Sequence, residues 1–276
     1  MGFLVKAPQW VYALVMGLAQ GLTEFLPVSS SGHLSLLNLA FGRDTEAGIE
    51  FTFFLHIATL IASLVYFRQD IARLIVAWKR ENERSMAGER RICVFLIVGC
   101  LITGPMGLLL EDKLAPIAGN IRLLGGAFLL TTIVLVVAER LLQEHPHRQM
   151  NNLGLLCSAI VGFAQGCAVI PGLSRSGSTI AGGMLTGMSR EQSTRFSFLL
   201  GIPIIIAGAL KDGLDLARGQ LTLPPMGACV IGFIAAAVAG YFAIAWMIKL
   251  VQKTQLYWFA GYTFILGVCL IVASFF

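Results

Sequence analysis

Apolar residues occur along the chain in blocks about as long as a bilayer is thick. They show neither the polar stripe of a surface helix nor the alternation of a half-buried strand. The blocks at 51–67, 92–110, 123–138, 196–210, 226–248 and 257–275 each predict one α-helix crossing the hydrocarbon, six crossings in all. Two further segments, 8–42 and 153–188, are apolar at their ends but broken in the middle by proline, glycine and serine clusters. Each is too long for one span, and its halves are short for two. A re-entrant helical hairpin, entering and leaving by one face, suits both segments. Two short, tilted crossings per segment are the alternative.

Composition supports a membrane setting. With 57% hydrophobic residues, 13% charged residues and a mean hydropathy of +0.79, a water-soluble globule of this length could not keep its surface wet. The predicted fold class is all-α integral membrane, a single multi-pass domain over 1–276. Cysteines 93, 100, 157, 167, 229 and 269 lie in apolar stretches without paired spacing, so they read as small core residues rather than a disulfide frame or metal motif. Residues 1–20 carry Lys6 as their one basic residue and do not resemble a cleavable leader.

The basic residues set an orientation. Arg68, Arg73, Lys79, Arg80, Arg84, Arg90 and Arg91 mark the loop 68–91 as cytoplasmic. Counting crossings then puts Arg140, Arg148, Arg190, Arg195, Lys249 and Lys253 on the same side and both termini outside. Lys6, Arg43, Lys113, Arg122, Lys211 and Arg218 fall outside, and Arg175 is left buried. The pI near 9.0 reflects this bias and calls for no nucleic acid; anionic membrane lipids are the partner that the basic loop suits.

The polar interruptions are related to each other. Gly17-Leu-Ala-Gln-Gly-Leu-Thr-Glu-Phe-Leu-Pro-Val-Ser-Ser-Ser-Gly-His33 has a degraded copy 145 residues later, Gly162-Phe-Ala-Gln-Gly-Cys-Ala-Val-Ile-Pro-Gly-Leu-Ser-Arg-Ser-Gly177. The same offset continues into the next helix, where Phe51, Phe53, Leu55, Ile57, Ile61 and Ala62 meet identical residues. The first repeat is assigned to 1–140 and the second to 153–276, each a hairpin followed by three crossings. Three is odd, so the second repeat lies inverted relative to the first, with the hairpin tips meeting near the midplane.

Those tips carry the candidate chemistry. Ser29, Ser30, Ser31 and Gly32 open one helix, and Ser174, Ser176, Gly177 and Thr179 open another; free amides and the helix dipole there favour an anion. Arg175 adds a charged, bidentate fork suited to phosphate. Helix capping explains one serine per tip, but neither three serines nor an intramembrane arginine. Glu24, on one helical face with Gln20, can accept a proton or, with Gln20, help hold a divalent cation. A structural ion pair with Arg175 is the weaker reading of Glu24. His33 can orient or deprotonate Ser30, donate to a leaving group, or bond a phosphate oxygen. His56 reads first as an interhelical contact and second as site lining, and His145 and His147 read as solvated.

The elements Gln20-Gly-Leu-Thr-Glu-Phe-Leu-Pro-Val-Ser-Ser-Ser-Gly-His33 and Pro171-Gly-Leu-Ser-Arg-Ser-Gly-Ser-Thr179 resemble the two signatures of the bacterial undecaprenyl-diphosphatase family, the bacitracin-resistance type. The resemblance covers essentially the whole chain, including Arg195-Phe-Ser-Phe-Leu-Leu200. It implies an inner-membrane enzyme that hydrolyses undecaprenyl diphosphate to undecaprenyl phosphate and inorganic phosphate, recycling the lipid carrier for peptidoglycan. It also implies a divalent cation, Mg2+ or Ca2+, and a site open to the outer face. A homodimer is compatible with it. Catalytic roles carry over to Glu24, Ser30, His33 and Arg175. Gln20 falls at a position where many members have glutamate, so here it supplies no second ionised carboxylate. Either Ser30 or a water molecule serves as nucleophile on these grounds. The main alternative is a polyprenyl-phosphate transporter or flippase using the same midplane site, because inverted repeats with broken helices are a transporter design. A second membrane lipid-phosphatase class has a Ser-Gly-His element like Ser31-Gly32-His33. That class also has a later Ser-Arg followed by a more distant histidine, but neither Ser174-Arg175 nor Ser189-Arg190 has a histidine within the next ten residues, and no basic residue precedes an Arg-Pro pair.

Overall fold

The computed structural model describes residues 7–43, 45–80, 83–142, 150–152, 154–219 and 225–276; Lys6, His145, His147 and Arg148 lie outside them. The fold is all-helical. In chain order the α-helices are α1 (Gln9–Phe25), α2 (Ser30–Ala40), α3 (Thr45–Tyr66), α4 (Arg68–Lys79), α5 (Ala87–Leu114), α6 (Ile121–Leu142), α7 (Leu155–Cys167), α8 (Arg175–Leu185), α9 (Arg190–Ala217), α10 (Met226–Lys253) and α11 (Tyr257–Ala273). Among the described residues, four stretches are long and apolar enough to cross a bilayer: Arg84–Leu110, Ile121–Leu141, Arg190–Ala217 and Met226–Lys253. The pair α3 and α4, bent by 70°, makes up to five. The chain is therefore a multi-pass membrane protein. Helix α11 is apolar but has 17 residues, about 26 Å at the α-helical rise.

The basic stretch from residue 68 is not the loop expected from its charge. Its first half is the amphipathic helix α4, with Ile71 and Leu74 turned partly inward and Arg73, Lys79 and Arg80 in solvent. Positive charge predicts the side of the membrane, whereas the i, i+3 spacing of Ile71 and Leu74 decides the local structure. Arg90 stops the helix by donating to the carbonyls of Arg80 (3.0 Å) and Ala77 (3.5 Å).

Both polar segments are broken helices. Pro27 has no amide hydrogen to continue α1, and Ser29 caps α2 by accepting from Gly32 N at 3.3 Å. Residues 168–174 break the second segment, and Ser174 caps α8 in the same way, accepting from Gly177 N at 3.0 Å. Each first arm packs through glycine. Helix α1 lies along α10, where a Cβ on Gly21 would come within 2.6 Å of Ala236 O; α7 lies along α5, where one on Gly162 would come within 2.6 Å of Gly99 O. In lipid such close backbone approach is a main source of helix association. Thr103 on α5 seals the second contact by donating to Gly162 O at 2.9 Å.

A buried ion pair closes the end of the molecule where α9 and α11 begin. Glu139 of α6 is fully buried and accepts from Arg190 Nη2, from Arg190 Nε at 3.0 Å and from Leu256 N at 3.1 Å. The carboxylate thus satisfies an orphan amide where α11 begins while tying α6, α9 and α11 together.

Candidate functional site

The two breaks meet. Ser176 Oγ, beside the second tip, donates to Leu26 O in the first break at 2.9 Å, and Gly172 N donates to Ser31 Oγ at 3.4 Å. Beside this junction lies a cavity of about 300 Å³, lined among others by Glu24, Ser29, Ser30, Ser31, His56 and Arg175. The same cavity reaches Lys211 and Asp212, near the C-terminal end of α9.

Glu24 is the hub of the polar network. It comes from the last turn of α1, is 7% exposed, and pairs with Arg175 Nη2 from the first turn of α8. Ser30 Oγ donates to Glu24 Oε2 at 2.7 Å, and Gln20 Nε2, one turn back on α1, donates to the same oxygen at 3.1 Å. One carboxylate therefore holds a guanidinium, a hydroxyl and an amide. Room for the guanidinium comes from Gly201 on α9, where a Cβ would sit 2.9 Å from Arg175 Cζ.

Of the residues singled out by sequence, Glu24, Ser29, Ser30, Ser31 and Arg175 line the cavity, and Gln20 supports it from behind, with its own side chain fully buried. Other expected binders hold the frame. Ser174 is occupied by Gly177 N, Gly32 is wedged against the Phe128 ring, and Thr179 donates to the carbonyls of Arg175 (2.8 Å) and Ser176 (3.1 Å). His33 is not among the lining residues. Its Nδ1 lies 2.7 Å from Ser29 O and its Nε2 2.7 Å from Tyr262 OH, and its ring stacks on that tyrosine at 5.7 Å. The spacing Ser29–His33 is a helical turn, so the imidazole folds back on its own N-cap, while the Ser30 hydroxyl goes to Glu24.

His56, read from the sequence first as an interhelical contact and second as site lining, faces the cavity; Lys211 is marked by the sequence only as an outer-side charge, and nothing in the sequence singles out Asp212 or Tyr262. His56 and Lys211 lie in apolar helices far from either signature, where no local motif marks a lining residue.

The residues present fit a hard cation that is shared with phosphate. Among the described residues no group of three or more His, Cys, Asp or Glu side chains forms a dedicated cage. The Glu24 carboxylate lines the cavity, and Gln20, whose Nε2 meets that carboxylate, keeps a second, buried oxygen, Oε1, without a hydrogen-bond partner. Mg2+ commonly takes one or two carboxylates and completes its shell with water and substrate phosphate.

Fold and site together define a polytopic membrane protein built around a buried acid–hydroxyl–guanidinium cluster at the meeting point of two broken helices. Residues 13–269 match the family model described as bacitracin resistance protein BacA, and the chain belongs to that family. It is 39% identical to a protein of Bacteroides fragilis named undecaprenyl-diphosphatase, over 96% of this chain and 98% of the relative. A protein of the same name from Mycolicibacterium smegmatis is 39% identical over 94% of each chain, and one from Bacteroides thetaiotaomicron is 37% identical over 96% of this chain and 99% of its own.

Proposed function

We propose that this protein hydrolyses undecaprenyl diphosphate to undecaprenyl phosphate and inorganic phosphate at the Glu24–Ser30–Arg175 cluster. The observation that carries the reading is the 2.7 Å hydrogen bond from Ser30 Oγ to Glu24 Oε2, a nucleophile already on its base. Without substrate, Arg175 and Glu24 neutralise each other. An entering diphosphate draws the guanidinium onto its terminal phosphoryl oxygens, where a bidentate fork binds well, and releases the carboxylate to act as a base. Ser30 Oγ attacks the terminal phosphorus, its proton passes through Glu24 to the bridging oxygen as that bond breaks, and undecaprenyl phosphate leaves carrying it. The freed carboxylate then deprotonates a water that attacks the phosphoserine, and returns that proton to Ser30 Oγ as inorganic phosphate departs. Positioning and charge stabilisation are the main demands of phosphoryl transfer. Glu24 and Gln20 would hold a Mg2+ or Ca2+ ion, which when bound supplies charge neutralisation on the diphosphate. The names of the relatives favour hydrolysis over transport as the activity.

The reading includes an architecture. Six crossings and two re-entrant hairpins in an inverted repeat account for the reciprocal packing, α1 on the second half's α10 and α7 on the first half's α5, with α6 against α11 between the halves. In that topology α9 runs outward from the cytoplasm. Lys211 and Asp212 then lie at the outer mouth of the cavity, and α4 lies along the cytoplasmic face of the inner membrane. A homodimer and contacts with anionic lipid are compatible with it.

The test is phosphate release from a C55 diphosphate by purified protein, with and without EDTA, for wild type, Glu24→Ala and Ser30→Ala. Turnover that vanishes in both variants, with phosphoserine trapped at residue 30 in wild type, is the expected result. Metal-dependent turnover by Ser30→Ala removes the serine from the nucleophile's role in favour of water. Wild-type rates for Glu24→Ala refute the site.

A further inference from the structure

Ser29 has φ 70°, the one non-glycine residue in the left-handed region among those described. Such a conformation is sparsely populated for a residue with a Cβ and persists where surrounding bonds hold it. Its dihedrals set where the next residue points, and the next residue is Ser30, on Glu24. The repeat offers an internal control. Ser174, at the equivalent position, has an unstrained φ of −67°. The residue four further on differs as well: in the strained copy it is His33, whose Nδ1 lies on the Ser29 carbonyl, and in the relaxed copy it is Ser178, whose buried hydroxyl has no hydrogen-bond partner.

Which nitrogen carries the proton follows from the partners. A carbonyl oxygen only accepts, so Nδ1–H donates to Ser29 O, and in the neutral ring Nε2 must accept. The group at 2.7 Å from Nε2 is the hydroxyl of Tyr262, on α11. The near-parallel rings, 8° apart, and the edge of Phe128 at 5.5 Å hold the imidazole in that plane.

We propose that Tyr262 is a positioning residue of the site. Its hydroxyl donates to His33 Nε2, fixes the tautomer and plane of the ring, and so keeps the Ser29 turn in the strained shape that aims Ser30 at Glu24. The inference rests on the reading of Ser30 as nucleophile. It assigns a function to a residue 229 positions distant in sequence and outside both signatures.

Tyr262→Phe keeps the stacked ring and deletes the donor. A neutral hydrogen bond contributes about 1 kcal/mol, and its loss at a group that orients the nucleophile predicts kcat about five- to tenfold lower. KM for the C55 diphosphate should stay within about twofold, because Arg175 is untouched, and the melting temperature in detergent should fall by no more than about 2–4 °C. In 15N-histidine spectra the Nε2 resonance that His33→Gln removes should shift in Tyr262→Phe. The double variant Tyr262→Phe/His33→Gln should be no slower than His33→Gln alone, since the tyrosine acts through the imidazole. An unchanged kcat, a loss confined to KM or melting temperature, an unmoved resonance, or additive effects would each overturn the proposal. Failure of the underlying nucleophile reading looks different, because there Ser30→Ala itself turns over.

Discussion

Replacing Arg175 by alanine separates a binding clamp from a structural tie. Glu24 is 7% exposed, with the Arg175 guanidinium, the Ser30 hydroxyl and the Gln20 amide around it. In Arg175→Ala the carboxylate keeps two hydrogen bonds and loses its counter-charge. Breaking a buried pair from one side costs about 3–5 kcal/mol, because the surviving charge stays desolvated. For a chain of this size that is a melting temperature lower by roughly 10 °C. Glu24→Gln should cost less, since the Arg175 side chain is 19% exposed beside the cavity, where water can solvate it. In Glu24→Gln/Arg175→Ala no buried charge is left alone. The amide oxygen still accepts from Ser30, so most of the lost stability should return. Rates should not return with it: all three variants lack the clamp, the base or both, and each should fall by about 10³-fold or more. Unfolding followed by tryptophan fluorescence in one detergent, beside initial rates of phosphate release, reads both quantities. A double variant as unstable as Arg175→Ala would refute the coupling, and Arg175→Ala within tenfold of the wild-type rate would refute the clamp.

Other expectations concern the frame. Gly21→Ala places a Cβ 2.6 Å from Ala236 O and must push α1 off α10, a cost of about 1–3 kcal/mol that lowers both melting temperature and kcat; an unchanged melting temperature would show that the contact yields freely. Glu139→Ala strands Arg190 and the amide of Leu256, and should cost about 3 kcal/mol in stability with KM within twofold of wild type; a raised KM would connect that end of the molecule to the site. Ser176→Ala removes the 2.9 Å bond to Leu26 O between the tips, and double-mutant rates with Ser30→Cys should be non-additive if tip registry matters.

Much of the site was legible because its expense shows in the sequence. A carboxylate, a guanidinium and serine clusters stand out against apolar helix, and the 145-residue offset pairs them before any coordinates are known. Glu24, Ser30 and Arg175 fall into one network for that reason. His33 shows the limit of the same logic. Adjacency in sequence suggested a partner for Ser30, but helical geometry turns the ring onto Ser29 O and Tyr262, and only tertiary packing brings α11 there. His56 and Lys211 were obscure for a related reason: in a membrane helix nothing local distinguishes a residue facing lipid from one facing a cavity. The helix α4 was hidden by its charge, which outweighed a short apolar stripe.

The division of chemistry between the two tips has a physical logic. Two identical tips would place either two carboxylates or two arginines face to face in a low-dielectric interior, and like charges there repel at a cost of several kcal/mol. Differentiation removes that problem. Position 24 is glutamate where its counterpart 169 is valine, and position 175 is arginine where its counterpart 30 is serine, so one junction holds a carboxylate and a guanidinium of opposite charge. The positive-φ turn is likewise confined to the copy that carries the hydroxyl on Glu24, while the other copy relaxes to φ −67° and presents the guanidinium. Under the proposed mechanism, strain is kept where the Ser30 hydroxyl is aimed, and the partner tip needs only to deliver a long, flexible charge. The residues that maintain the asymmetry, His33 and Tyr262 on one side and Gly201 on the other, then matter as much to the site as Glu24, Ser30 and Arg175.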